Sequence, residues 1–324
     1  MIVDIFLLAA GFALLLAGGE GLLRGAVSMA ARFGMPAFLI GVTVVGFGTS
    51  LPEMLVSIQA TLSGSPDIAI GNVVGSNIAN ILLILGVSGV ISPIITDVQG
   101  LKRDVLVMLA VAFLLGAIGL GGMVTGLMGV IMLLLLVVYL TTVTIADRRR
   151  MKIEAEGKSE AECEAEQIHR LPLWKEVIAL VLGMAGLFFG ADMLIKGATG
   201  LARVAGVSEA VIGLTLVAIG TSLPELATAI IAAVKKHAEV ALGNVVGSNI
   251  FNVLVILGVT ALIKPVEISH RLAIMDIPFM IVVSIGLAVM IFLKPQIGRV
   301  TAGLMLTLYA SYTILLYANG ALAH

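Results

Sequence analysis

The chain has 324 residues, of which 60% are hydrophobic and 12% charged. Its mean hydropathy of +1.15 excludes an ordinary soluble domain and places it among polytopic membrane proteins. The formal net charge of −1 offers no basic field for nucleic acid. Cys163 is the single cysteine, which excludes an intramolecular disulfide, and the scattered histidines make no zinc motif.

A helix crosses a bilayer in about 20 apolar residues. On that ruler the chain divides into ten predicted spans. The first five lie near 2–23, 37–62, 68–91, 104–121 and 124–146. The other five lie near 175–195, 207–233, 240–263, 273–293 and 299–320. The first apolar stretch lacks a basic leader region, so it reads as a span and not as a cleaved signal. Between the two sets, residues 147–174 hold Arg148, Arg149, Arg150 and an acidic run from Glu154 to Glu166. They read as a solvated linker. The expected organisation is a five-helix unit over 1–146, the linker over 147–174 and a second five-helix unit over 175–324.

Lysines and arginines set the orientation. With the linker cytoplasmic, Arg24, Arg32, Lys102, Arg103, Lys235, Lys236, Lys294 and Arg299 are cytoplasmic too. Counting the linker and its edge, 15 of the 19 basic residues fall inside; Lys196, Arg203, Lys264 and Arg271 fall outside. Ten spans then put both termini outside a membrane expected to be the cell membrane.

The two units are copies of one another. Gly48-Thr49-Ser50-Leu51-Pro52-Glu53 recurs as Gly220-Thr221-Ser222-Leu223-Pro224-Glu225, 172 residues later. Gly71-Asn72-Val73-Val74-Gly75-Ser76-Asn77 recurs at Gly243 to Asn249 with the same offset, as do Asn80 and Asn252. Roughly half of residues 41–93 equal their partners. An odd number of spans per copy makes the second copy enter the membrane in the opposite sense. The fold class predicted is therefore an all-α membrane protein of ten transmembrane helices in two inverted-topology repeats.

Glu53 and Glu225 carry the chemistry. A carboxylate at the bilayer centre costs about 2.5–3.5 kcal/mol on insertion scales, so it must face a partner or a watery cavity. The spans contain no lysine or arginine at matching depth, so the natural partner is a cation from outside. Oxygen ligands favour hard cations such as Ca²⁺, Na⁺ or Mg²⁺. Pro52 and Pro224 lack an N–H and free carbonyls near Gly48 and Gly220, beside Thr49 and Thr221. Ser76 and Asn80 share a helix face, as do Ser248 and Asn252. The same serines and asparagines could serve packing alone, through the Gly71/Gly75 and Gly243/Gly247 small-residue motifs. Asp67, Glu239, Asp104 and Asp276 read as acids at helix N-termini.

Two inverted copies of G-T-S-L-P-E followed by G-N-x-x-G-S-N-x-x-N resemble the α-repeats of the sodium/calcium exchanger family. The resemblance implies alternating access in which Na⁺ and Ca²⁺ compete for midplane sites. By motif position it implies that Glu53 and Glu225 bind Ca²⁺ with the carbonyls of Thr49 and Thr221. It gives Ser50, Ser222, Ser76 and Ser248 to flanking Na⁺ sites and Asn80 and Asn252 to the centre. It also implies that spans one and six slide across the core. Some branches carry Asp where this chain has Asn252, which leaves the coupling open and weakens potassium dependence. The linker is too short for the calcium-sensing domains of animal members.

The expected function is a secondary antiporter exchanging Na⁺ for Ca²⁺, with inorganic cations and the lipid bilayer as its partners and no cofactor. A Ca²⁺/H⁺ antiporter of the same fold is the nearest alternative. A cation channel could use the same carboxylates as a selectivity ring. An intramembrane hydrolase has no Ser–His, H-E-x-x-H or aspartyl pair to support it, so no enzyme activity is expected.

Overall fold

The computed structural model describes residues 1–33, 37–96, 98, 100–156, 172–205, 220–294 and 296–321. These residues form helices joined by short turns and two small strand pairs. Eight of the helices are long and apolar enough to cross a membrane, or nine if one bent pair counts as a single span.

In chain order the helices begin with α1 (Ile2–Phe33), ten residues longer than its predicted span. The second predicted span is broken. Its first part is α2 (37–49), which includes a wide π-turn at Gly41–Val45. Its second part is α3 (Leu51–Leu62), and the axes of Gly41–Thr49 and Leu51–Leu62 differ by 44°. Pro52 causes the break, because it can neither donate to the preceding turn nor pack inside it. Next come α4 (Pro66–Ile91), α5 (Leu101–Leu120) and α6 (Gly126–Glu156). The α6 helix runs ten residues past the predicted edge of its span.

The second half holds α7 (Leu173–Val204), α8 (Leu223–Val234), α9 (Ala238–Ile263), α10 (Leu272–Leu293) and α11 (Arg299–Ala321). Residues 157–171 of the predicted linker and 206–219 of the predicted seventh span lie outside the described residues.

Two helices make the centre. The most apolar windows of α4 and α9 are 72% and 83% buried within the protein, against 22% for α6 and 11% for α11. Such nearly complete burial explains why α4 and α9 are hydrophobic all round, with asparagines where the two helices meet. Outside them, α5 packs on α10, α6 on the end of α9, and α11 on the end of α4.

Helices α1 and α7 run antiparallel in direct backbone contact. A Cβ added at Gly18 would lie 2.6 Å from the Leu187 nitrogen, and one at Gly183 would lie 2.5 Å from that of Leu22. Gly11 against Leu194 (2.6 Å) and Gly190 against Leu15 (2.8 Å) extend the seam. Glycines seven residues apart keep one smooth stripe on each helix, so the main chains meet without side chains between them.

Two antiparallel strand pairs tie the halves together. β1 (Ile94–Ile95) pairs with β4 (Gln296–Ile297), and β2 (Met123–Val124) pairs with β3 (Val266–Glu267). Each pair joins two turns that the charge distribution assigns to the same side of the membrane.

Candidate functional site

The two proline breaks position the acids. Ser50 ends the bent segment before α3, and Ser222 holds the same place before α8. Pro52 and Pro224 occupy the first turns, and Glu53 and Glu225 follow them. Both glutamates are 1% exposed. Each backbone N–H bonds its own carboxylate, while the prolines have no N–H to give the carbonyls of Gly48 and Gly220. The breaks thus aim carboxylates and main-chain oxygens into the same interior region.

Side chains from the two halves interleave there. Ser222 Oγ donates to Glu53 Oε1 at 3.4 Å and lies 3.4 Å from Ser76 Oγ. Thr49 Oγ1 lies 3.2 Å from Asn244 Oδ1 and also reaches the Glu225 carboxylate. Ser248 Oγ donates to the Gly46 carbonyl at 3.3 Å, where α9 crosses α2 closely. Glu53 and Glu225 are near enough to repel each other electrostatically.

Four asparagines form a crossed lattice between α4 and α9. Asn80 Nδ2 donates to Asn249 Oδ1, and Asn252 Nδ2 donates to Asn77 Oδ1, both at 3.0 Å. Asn77 Nδ2 donates to the Asn249 carbonyl at 3.3 Å, and Asn249 Nδ2 to the Asn77 carbonyl at 3.4 Å. The helices widen into π-turns at Asn80–Ile84 and Asn252–Leu257, the kind of local irregularity common at functional sites.

Among the buried side-chain oxygens without a hydrogen-bond partner, six belong to residues singled out above: Glu53 Oε2, Glu225 Oε2, Asn80 Oδ1, Asn252 Oδ1, Ser50 Oγ and Thr221 Oγ1. The carboxylates and the asparagines are repeat mates. A buried unsatisfied polar atom costs about 1–3 kcal/mol, and such atoms call for an explanation. Among the described residues no three His, Cys, Asp or Glu side chains cluster. The donor set is therefore two carboxylates with neutral oxygens, which suits a hard cation.

Of the ten residues singled out in the sequence, Thr49 ends α2, Ser50, Thr221 and Ser222 lie just before α3 and α8, Glu53 and Glu225 lie on α3 and α8, and Ser76, Asn80, Ser248 and Asn252 lie on α4 and α9. The other acids stand apart. Asp67 accepts the Ser269 N–H at 3.3 Å, and Glu239 lies 3.2 Å from His237 Nδ1. Asp104 pairs with Arg103 at 2.8 Å, and Asp276 accepts the Tyr312 hydroxyl at 2.9 Å. Asn77 and Asn249, which the sequence shows only as part of the repeated motif, and Asn244, the partner of Thr49, join the site in the structure. Sequence reasoning passed over Ser57, whose Oγ accepts Asn72 Nδ2 at 2.9 Å. Ala229 takes the place of Ser57 in the second copy. Asn72 Nδ2 donates to Ser57 Oγ and to the Glu53 carbonyl at 3.0 Å, whereas Asn244 Nδ2 has no partner and its oxygen lies toward Thr49 and Ser248. A comparison of the copies for departures from identity would have found that difference.

Helices of this length and polarity around a buried polar centre define a multi-pass integral membrane protein of the transporter class. Residues 3–145 and 175–318 match the family described as sodium/calcium exchanger protein, and the chain belongs to that family. It is 35% identical over 317 residues to the inner membrane protein YrbG of Escherichia coli (strain K12), covering 95% of this chain and 94% of that one. It is 33% identical over 345 residues to the sodium/calcium exchanger MaX1 of Methanosarcina acetivorans, covering 97% and 99% of the two chains. The fold matches a solved structure of the sodium-calcium exchanger NCX_Mj, soaked with 2.5 mM Na⁺ and 0.1 mM Ca²⁺, with a TM-score of 0.80 and 32% identity. That match covers 96% of this chain and 97% of the other.

Proposed function

We propose that the protein is an antiporter exchanging Na⁺ for Ca²⁺ by alternating access at the centre between α3, α4, α8 and α9. The observation that carries this reading is the Glu53/Glu225 pair, each with a buried unpartnered oxygen, together with the buried unpartnered amide oxygens of Asn80 and Asn252. Two carboxylates balance one divalent ion. Neutral oxygens around them suit Na⁺, whose single charge asks for dipoles more than for further carboxylates. Glu53 and Glu225 bind Ca²⁺ with the Thr49 and Thr221 carbonyls, and Ser50, Ser76, Ser222 and Ser248 serve the flanking Na⁺ positions. The name of the Methanosarcina relative supports the cation pair.

The architecture belonging to this reading is ten spans in two inverted repeats, over 1–146 and 175–324, joined by a cytoplasmic linker at 147–174. Both termini lie outside the cell membrane. The crossed contacts of Asn77 with Asn249, each to the other's carbonyl, support a pseudo-two-fold relation between the halves. The glycine seam supports α1 and α7 as the pair that slides across the core, because main chains in such close contact hold the two helices together as one unit. Coupling to H⁺ is the competing reading, since the same two carboxylates could carry protons.

Purified protein in liposomes separates the two. An outward Na⁺ gradient should drive Ca²⁺ uptake, with no added K⁺ required. Uptake that follows a pH gradient and ignores Na⁺ would overturn the Na⁺ reading.

A further inference from the structure

The four-asparagine lattice does more than pack α4 against α9. We infer that Asn77 and Asn249 are positioning residues that fix the amide orientation of Asn80 and Asn252, so that each turns its oxygen, and not its NH₂, toward the transported cation. The inference rests on the exchange site proposed above.

A carboxamide has nearly the same shape after a flip that exchanges O for NH₂. For a cation the two orientations are opposites, since an oxygen attracts it and an NH₂ repels it. Something must therefore choose between them. The choice here starts from atoms that cannot flip. A main-chain carbonyl only accepts hydrogen bonds. The Asn249 carbonyl receives Asn77 Nδ2 at 3.3 Å, and the thioether of Met280, also an acceptor, lies 3.6 Å from the same nitrogen. Asn77 must then point its Oδ1 the other way, where it receives Asn252 Nδ2 at 3.0 Å. With its NH₂ spent, Asn252 is left with a buried, unpartnered Oδ1.

The second chain of bonds repeats the first with the halves exchanged. The Asn77 carbonyl and Met108 Sδ receive Asn249 Nδ2 at 3.4 and 3.6 Å. Asn249 Oδ1 receives Asn80 Nδ2 at 3.0 Å, and Asn80 Oδ1 is left unpartnered. Polarity thus passes from a rigid carbonyl, through one amide, to the next. All four side chains are at most 3% exposed, so water does not compete for these bonds.

A double-mutant cycle on equilibrium Ca²⁺ binding to the purified protein tests the idea. Asn77→Leu keeps the volume but removes the acceptor for Asn252. It should weaken Ca²⁺ binding about tenfold, the worth of a buried hydrogen bond. A carboxylate has oxygen on both branches, so Asn252→Asp needs no orientation. In that background Asn77→Leu removes an oxygen that opposes the carboxylate, so it should leave Ca²⁺ affinity unchanged or raise it, and should not lower it. Asn249→Leu with Asn80→Asp forms the second cycle. A packing role predicts the same loss in both backgrounds and would overturn the inference. So would an unchanged affinity in Asn77→Leu, or Asp variants that bind no Ca²⁺. Failure of the site itself reads differently: Glu53→Gln would then bind Ca²⁺ as the parent does.

Discussion

Arg32 Nε lies 2.6 Å from Glu176 Oε2, fastening the last turn of α1 to the first turn of α7. Ser28 Oγ donates to the other carboxylate oxygen at 2.7 Å, and Glu176 is wholly buried. The second copy does not repeat the Ser28 and Arg32 side chains of this clamp. Position 204, the repeat mate of Arg32, is a valine, and position 200, the mate of Ser28, is a glycine. The mate of Glu176 is Asp4, and Gly200 leaves room for its carboxylate at the other end of the α1–α7 pair.

Removing the arginine strands a buried carboxylate. Breaking such a pair costs about 3–5 kcal/mol when both partners are buried. Arg32 is 27% exposed, so Arg32→Ala should cost less, roughly 1–3 kcal/mol. Thermal unfolding in detergent checks this. Arg32→Ala/Glu176→Gln should recover part of the loss, because glutamine keeps the Ser28 contact without the unpaired charge.

The acids of the centre are tested by isosteric neutralisation. Glu53→Gln and Glu225→Gln should each abolish Ca²⁺ transport while the protein still folds. Losing one of two charges that face a divalent ion weakens binding by roughly 2–5 kcal/mol, or about 30- to 4,000-fold. Isotopic Ca²⁺ flux into liposomes, with folding verified by gel filtration and thermal melting, is the measurement. Flux near the parent level from either variant would show that the pair is not the site.

The glycine seam makes a steric prediction. A methyl group at Gly18 would meet the Leu187 nitrogen at 2.6 Å and the Gly183 carbonyl at 2.8 Å, and main chain cannot rotate aside. Gly18→Ala should cost about 1–3 kcal/mol as overpacking and slow Na⁺-driven Ca²⁺ flux. Gly303→Ala, where an added Cβ meets nothing among the described residues within 4 Å, serves as the control and should change neither.

Asn252→Asp brings a titratable group to the centre. Asn77 Oδ1 faces this side chain at 3.0 Å and needs a donor there. A protonated carboxyl can donate to it as the amide does, whereas a carboxylate opposes it oxygen to oxygen. The variant should therefore acquire a pH dependence that the parent lacks, with the neutral acid mimicking asparagine at low pH and the charged form changing cation coupling at high pH. Flux measured across pH in Na⁺ and in Na⁺ with K⁺ checks this. Identical pH and cation profiles for parent and variant would count against the assignment of Asn252 to the centre.

Much of this protein is legible in one dimension. Hydropathy marks helices because a bilayer requires about 20 apolar residues and leaves no water to satisfy a bare backbone. The offset of 172 residues exposes the duplicated motif, and a proline beside an acid inside an apolar run marks Glu53 and Glu225 before any coordinates are known. Those signals are local, or arise from comparing one stretch with another. What only the tertiary structure decided is which polar atoms meet and which stay unpartnered. Asn77 and Asn80 look equivalent along α4, and nothing in their spacing says that one spends both ends of its amide on α9 while the other keeps an oxygen bare. Arg32 and Glu176, 144 residues apart, carry no mutual signal either. Hydrogen bonds and ion pairs depend on ångström distances between helices remote in sequence, and those distances are set by how glycine-lined backbones close on one another.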